Sequence, residues 1–381
     1  LTQLAPGEVI SDNFEILALP DGSLIIGWTQ DLNTGQEGSL FDGADVVWQR
    51  FDAFGNPLSE ITQVETAGPN ESSISLELLG DQLLVNTAIF DDIGDGTTLA
   101  SQTFDLALSA FTETADMFTG TEADELLDGL GGDDDISAGG GNDTVIGGAG
   151  NDTLRGEAGD DTLIGSAGSD GLFGGAGRDQ ASYASATTRV AADLQGLTAG
   201  LNDAAGDTFD GVEDLLGGRS NDILRGDALG NILQGGNGAD RLFGRAGGDT
   251  LLGEAGNDIL YGNTGADEMS GGAGNDRFVY FRPGDSGTGR AARDVITDFN
   301  ADGSDRIEIG RFDADLGRGG NQAFNFIGGA AFTGASAELR TFQNATLNLT
   351  VIEGDLDGDR QADFQIELTG LITLDAGDFT L

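Results

Sequence analysis

Between Ala138 and Asp179 the chain repeats itself every nine residues, reading AGGGNDTVI, GGAGNDTLR, GEAGDDTLI, GSAGSDGLF and GGAGRD. So short a period admits few folds, because each unit is too small to bury a face alone and is stable only when stacked on its neighbours. The first, second and fourth places are mostly Gly, the sixth is Asp, and the eighth is usually apolar, as in Val145, Leu154, Leu163 and Leu172. Gly adopts positive φ without steric cost, so the first half of each unit predicts a tight turn with its carbonyls free to face a common centre. The second half predicts a very short strand with one side chain turned inward. Two units then make one turn of a parallel solenoid.

That period stacks Asp134 on Asp152 on Asp170, and Asp143 on Asp161 on Asp179. Neighbouring strands lie about 4.8 Å apart, and two carboxylates about 5 Å apart repel by roughly 3 kcal/mol at an effective dielectric near 20. Such a row requires cations between its turns. Carboxylates and backbone carbonyls in a flexible cage, with no nitrogen or sulfur, suit Ca²⁺ better than a transition metal or the octahedrally strict Mg²⁺. The alternatives are a metal-free Gly/Asp solenoid and a disordered Gly-rich tract.

A second block starts at Gly217 with GGRSNDILR and GDALGNILQ and continues through GGNGADRLF, GRAGGDTLL, GEAGNDILY, GNTGADEMS and GGAGNDRFV. Its sixth places are Asp222, Asn231, Asp240, Asp249, Asp258, Asp267 and Asp276. Asn231 keeps an oxygen but drops a charge, which predicts a weaker site. The eighth places Leu224, Leu233, Leu242, Leu251, Leu260, Met269 and Phe278 predict an apolar column one residue wide. That column is thin for a core, so metal is expected to contribute to stability.

These units resemble the repeats-in-toxin (RTX) β-roll of secreted bacterial proteins. The resemblance implies Ca²⁺ held by Asp134, Asp143, Asp152, Asp161, Asp170, Asp179, Asp222, Asn231, Asp240, Asp249, Asp258, Asp267 and Asp276. Backbone carbonyls would come from Gly139, Gly141, Gly148, Gly150, Gly159, Gly168, Gly236, Gly238, Gly247, Gly256, Gly265, Gly272 and Gly274. Counting units two apart gives about eight ions if every pair is filled. A further loop, Asp355-x-Asp357-Gly-Asp359-x-x-x-Asp363, has the alternate-carboxylate spacing of Ca²⁺ loops, but Arg360 stands where an EF-hand needs Gly. Asp298-x-Asn300-x-Asp302-Gly303 has that Gly and lacks the closing acid. Plain β-turns are the alternative for both loops.

Around the roll the chain reads as follows. Residues 1–117 hold a subtler repeat: Leu17-x-Leu19-x-x-Gly22-x-Leu24-x-Ile26 recurs as Leu76-x-Leu78-x-x-Asp81-x-Leu83-x-Val85, and Gln49-Arg-Phe51-Asp52 recurs as Gln102-Thr-Phe104-Asp105. Alternating apolar residues around Pro20-Asp21-Gly22 and Gly55-Asn56-Pro57 predict antiparallel hairpins in two units, with Trp28, Trp48 and Phe51 as core. The first block spans 118–182, starting with the degenerate unit TGTEADELL. Residues 183–216 carry no nonapeptide and are read as a spacer, in which Asp207, Asp210, Glu213 and Asp214 are either extra ligands or surface charge. The second block spans 217–279. Residues 280–381, with Asp294-Val-Ile-Thr-Asp298-Phe299, Asp305-Arg-Ile-Glu-Ile and the closing Asp378-Phe379-Thr380-Leu381, resemble the C-terminal region of the serralysin metalloproteases. That resemblance implies a β cap carrying a type I secretion signal. The expected fold is thus all-β: a parallel β-roll in two blocks, an N-terminal antiparallel β-repeat domain and a C-terminal β cap.

Composition narrows the function. Asp and Glu number 66 against 17 basic residues, all of them Arg, for a formal charge of -49. Such a chain repels nucleic acid and anionic membrane, and its natural partners are cations. With no His, Cys or Lys, HExxH zinc chemistry, Ser-His-Asp and Cys-His catalysis and Schiff bases are all excluded. No catalytic residue is assigned. No apolar run is long enough for a membrane helix, and LTQLAPGEVI lacks the basic start and apolar core of a signal peptide. The chain starts at Leu1 rather than Met, which leaves room for a truncated or processed start. Three functions compete: a secreted, extracellular Ca²⁺-binding protein whose residues 1–117 contact a surface or protein partner; the non-catalytic C-terminal part of a larger type I secreted hydrolase or epimerase; and a carboxylate-only enzyme acting on polysaccharide.

Overall fold

The computed structural model describes residues 114–300, 305–311, 313–315 and 320–381, and N-terminal to these the backbone of seven strands between Ile10 and Asp105. Those seven strands form two antiparallel sheets, each following the chain in order. Ile10–Ala18, Leu24–Gln30, Asp45–Phe51 and Thr62–Val64 make one; Glu71–Leu79, Gln82–Phe90 and Thr97–Asp105 make the other. Each copy of the N-terminal sequence repeat is a hairpin followed by a third strand, with Leu17 opposite Ile25 in the first hairpin and Leu78 opposite Leu83 in the second. Pro20-Asp21-Gly22, Gly55-Asn56-Pro57 and the side chains of Trp28, Trp48 and Phe51 lie outside the described residues.

From Met117 to the end of the repeats the strands are parallel, and the partner of a residue in the repeats is the one eighteen positions further on: Leu154 pairs with Leu172, Val145 with Leu163, Leu242 with Leu260. That offset follows from the nine-residue unit. Consecutive units fall on opposite faces of the roll, so only every second unit meets its like. The eighth-place residues therefore form two facing columns rather than the single column expected. Ile136, Leu154 and Leu172, then Leu224, Leu242, Leu260 and Phe278, line one wall; Leu127, Val145, Leu163, Ala181, Leu215, Leu233, Leu251 and Met269 line the other. All are buried to within 1%.

The interruption at 183–216 is woven into the roll instead of standing outside it. Thr208–Asp210 pairs with Gly171–Ala176 and ends one sheet; Ala191–Asp193 pairs with Ile223–Arg225 and starts the next; Asp214–Leu216 joins Gln180–Ser182 to Ile232–Gln234 and keeps the opposite sheet continuous. One wall of the roll is accordingly a single thirteen-stranded sheet, and the other is split into sheets of five and seven strands.

At the C-terminal end Asp294–Ile296 pairs parallel with Phe364–Thr369, the last strand of an antiparallel meander with Leu349–Asp355 and Glu338–Asn344. Arg306–Glu308 pairs with the terminal strand Phe379–Thr380. Both walls thus run into the cap, and its Ile307, Phe364, Ile366 and Leu368 extend the apolar interior of the roll. Among the described residues there is no α-helix, only three short 3-10 turns, and no helix is long and apolar enough to cross a membrane.

Because each wall contributes one apolar side chain per turn, truncating one leaves a cavity that little else can fill. Leu260→Ala should cost about 2–5 kcal/mol, read as a lowered denaturant midpoint of the calcium-loaded chain. Leu197→Ala, at a position 72% exposed, should cost under about 0.5 kcal/mol. Equal losses at both would show that the columns are not the core.

Candidate metal centre

The loop half of each unit passes directly over the loop two units earlier. At the fourth place a Cβ on Gly150 would overlap the Gly132 carbonyl oxygen, and one on Gly256 would overlap that of Gly238. These glycines also hold φ of +149° and +152°, so no other residue fits without strain. Stacking at this distance brings the sixth-place carboxylates into line.

Each of those carboxylates spends one oxygen on the ladder. Oδ1 of Asp152 accepts the N–H of Asp134 at 2.9 Å, Asp170 accepts Asp152, Asp161 accepts Asp143 and Asp179 accepts Asp161. In the second block Asp240, Asp258 and Asp276 accept in turn from Asp222, Asp240 and Asp258, and Asp249 and Asp267 accept from Asn231 and Asp249. The other oxygen, Oδ2, is buried and has no hydrogen-bond partner in Asp134, Asp143, Asp152, Asp161, Asp170, Asp179, Asp240, Asp249, Asp258, Asp267 and Asp276. A buried carboxylate oxygen without a donor is costly, and here the cost recurs at every turn.

What borders Oδ2 is oxygen and bare backbone. The point where a Gly253 Cβ would stand lies 2.6 Å from Asp258 Oδ2 and 2.6 Å from the Gly271 carbonyl oxygen. At Gly235 the same point lies 2.6 Å from Asp240 Oδ2 and 2.9 Å from the Gly253 carbonyl. These are first-place glycines, which the sequence reading passed over in favour of the second and fourth places. The signal was there, since the first place is the most regular Gly of the unit. One of the expected carbonyls, that of Gly236, accepts the N–H of Ala255 at 3.0 Å.

Electrostatics follow from this burial. Without a cation, desolvation is the main cause that lifts these carboxyls, and neighbouring carboxylates of the row add to it against the ladder hydrogen bond. Asp240 is pushed up to about 8; Asp143, Asp249 and Asp258 to about 7; Asp134, Asp170, Asp179, Asp267 and Asp276 to about 6. Asp152 and Asp161 are raised for the same reason. The donor set fits a hard cation: negative, oxygen-only and with one unpartnered carboxylate oxygen per unit of the rows.

Two expected ligands do not fit. Asp222 Oδ2 accepts the N–H of Gly218 at 2.7 Å, and Asn231 Oδ1 accepts that of Asp227 at 2.8 Å. Both units lack the fourth-place glycine, having Ser220 and Leu229 instead, and their loops turn a second-place N–H onto their own side chain. The rows are continued instead by residues outside the pattern. Asp170 donates its N–H to Asp207 and Asp179 to Glu213; Asp267 donates to Asp294 and Asp276 to Asp305. Of the four acids weighed in the interruption, Asp207 and Glu213 therefore lie on the rows. Asp214 takes both ends of the Arg178 guanidinium, and Asp210 is exposed. A second ladder also escaped the reading: fifth-place Asp133, Asn142, Asn151 and Asn257 each accept the N–H of the residue eighteen positions on.

In the cap, Asp355, Asp357 and Asp363 each bring a carboxylate oxygen within 4.8 Å of the other two. Asp359 does not join them, because its carboxylate accepts from the Gln361 N–H and side-chain amide. The loop also closes on itself: Asp355 accepts from Gly358 and Arg360, and Asp363 from Leu356. Arg360, in the place where Gly was wanted, holds φ of +71°. Asp298 accepts from Ser270, Gly271 and Gly272 of the roll, while Asp302 and Gly303 lie outside the described residues.

The chain matches the family model described as peptidase M10 serralysin C terminal over residues 180–381. It also matches that of the RTX calcium-binding nonapeptide repeat over 119–154 and 146–181. Among curated proteins none matches. Solved structures similar to it include the R3 subunit of the Azotobacter vinelandii mannuronan C5-epimerase AlgE6, with 25% identity, 42% of this chain and 78% of that chain covered, and a TM-score of 0.25. The R2 subunit of the same enzyme shares 20% identity over 42% of this chain and 88% of that one, at a TM-score of 0.25. The extracellular lipase LipA of Serratia marcescens shares 19% over 71% of this chain and 39% of that one, at 0.23.

The raised carboxyls set a pH dependence. Between the ordinary carboxylate value near 3.8 and about 6–8, the folded, metal-free rows hold protons that the unfolded chain has released. Their contribution to the metal-free fold is therefore present at low pH and lost as pH rises through that window. Protons and cations compete for the same oxygens. Lowering pH from about 8 to about 5 should stabilise the chain in chelator, followed by circular dichroism, and weaken calcium binding by the folded chain, followed by calorimetry. A calcium affinity of the folded chain indifferent to pH over this range would contradict the assignment.

Proposed function

The chain belongs to the serralysin C-terminal family, here joined to RTX calcium-binding nonapeptide repeats, and from that premise we propose that it is a secreted calcium-binding protein in which ion binding couples export to folding. The reading is carried by one observation: the rows of buried carboxylate oxygens without hydrogen-bond partners. In a compartment poor in Ca²⁺ these rows have no counter-charge, and a chain of formal charge -49 with little apolar surface per turn stays open. That state suits passage through a type I exporter. Outside, at the roughly 10⁻⁴ to 10⁻³ M affinities of extracellular modules, ions bind the folded form alone and draw the equilibrium toward it. The ligands we assign are the row carboxylates with a free Oδ2 and the loop carbonyls beside them. Asp222 and Asn231 are excluded, and the Asp355, Asp357 and Asp363 loop is secondary.

Within this reading the residues present do no catalysis. The protein acts extracellularly, with residues 1–117 available for a surface or protein partner. A second reading has one observation in its favour: the matching family is described as the C-terminal part of peptidases. The chain would then be the non-catalytic part of a larger secreted hydrolase, which coding sequence upstream of Leu1 with an HExxH or lipase-type Ser motif would establish.

The deciding experiment is a calcium titration of the purified chain by far-UV circular dichroism, from chelator to about 10 mM, with Mg²⁺ as control. A cooperative coil-to-β transition with Ca²⁺ alone is expected. A spectrum already rich in β structure in chelator and unmoved by Ca²⁺ would sink the proposal.

A further inference from the structure

The rows of free oxygens are interrupted at one place, the join between the blocks. Every unit with Gly at its fourth place in the ladders described above leaves a buried Oδ2 open, whereas in the units with Ser220 and Leu229 a backbone N–H occupies Asp222 Oδ2 and Asn231 Oδ1. At the same join two guanidiniums each bind a carboxylate and a loop carbonyl. Arg178, from the last unit of the first block, donates Nε and Nη2 to Asp214 at 2.8 and 2.7 Å and reaches the Gly230 carbonyl at 3.3 Å. Arg245, from the second block, donates to both oxygens of Asp193 at 2.7 and 2.9 Å and to the Gly226 carbonyl at 2.6 Å. Gly226 and Gly230 belong to the loop of the unit that carries Asn231, whose side-chain amide donates to the Glu213 carbonyl at 2.7 Å. Each guanidinium thus gathers one carboxylate and one loop carbonyl, the donor types offered to a cation elsewhere in the roll.

We propose that units 217–225 and 226–234, with the interruption before them, form a calcium-free joint in which Arg178 and Arg245 are built-in cations dividing the roll into two calcium-loading segments. The proposal rests on the assignment of the other rows to calcium. Planar, permanently charged guanidinium suits the task, since it binds carboxylate through two donors and cannot be removed by a chelator. The residue that decides between the two kinds of unit is the fourth. With Gly the loop opens its carboxylate to the interior, and with Ser or Leu it folds a second-place N–H onto it.

Native mass spectrometry of the full chain in Ca²⁺ counts bound ions directly. Asp222→Asn should leave the count at the wild-type value, while Asp258→Asn should lower it. Arg178→Gln with Arg245→Gln should leave the count unchanged but raise the calcium midpoint for folding several-fold, since the joint then lacks its counter-charges. A lowered count in Asp222→Asn overturns the proposal. So does an unshifted midpoint in the double arginine variant, a readout available even if the Asp222 variant does not fold. An unchanged count in Asp258→Asn would instead fault the assignment of the rows to calcium.

Discussion

Everything in the roll depends on like charges being held together. Stacked parallel turns place the sixth-place carboxylates one strand apart, and burial removes the water that would screen them. The ladder hydrogen bond, a charge-assisted contact from the N–H of one Asp to the carboxylate of the next, offsets part of that repulsion. It uses only one oxygen. On the proposed reading, the remaining oxygen makes the folded state conditional on something cationic, so a fold whose two apolar columns are each one side chain wide gains a threshold in place of unconditional stability.

Much of this was legible in the residues. The nine-residue period carries the strand offset, the rows and the apolar walls, because in a solenoid each unit touches only its neighbours and local sequence decides local contact. The antiparallel pairing of the N-terminal repeat was equally readable from alternation around turn signals. What escaped has a common cause. The split of the apolar residues into two walls depends on which face a unit occupies, and no single unit contains that information. Asp207, Glu213, Asp294 and Asp305 join the rows across offsets of 37, 34, 27 and 29 residues, which the period does not mark.

Asp222 and Asn231 are the most instructive positions of the two blocks. Judged by the acidic place alone Asp222 is a full member of the pattern, and Asn231 a conservative departure. Their loops differ at the fourth place, where Ser220 and Leu229 replace the residue that lets one loop ride on another. Whether a sixth-place oxygen is left without a partner therefore goes with the residue two places before it, so the glycine pattern bears on the rows as much as the carboxylates do.

The eighteen-residue offset also governs how such a chain can change length. Adding or deleting two units moves every later strand by one full step along the same wall, so each Asp and each apolar side chain meets a neighbour of the same kind. A single unit would exchange the two walls for everything beyond it and turn the cap over. Residues 183–216 show the other route: a segment with no repeat of its own joins the two blocks by contributing a strand to each of three sheets. In genetic terms the roll is a tract that lengthens cheaply in steps of two, bounded by a cap that tolerates only even moves.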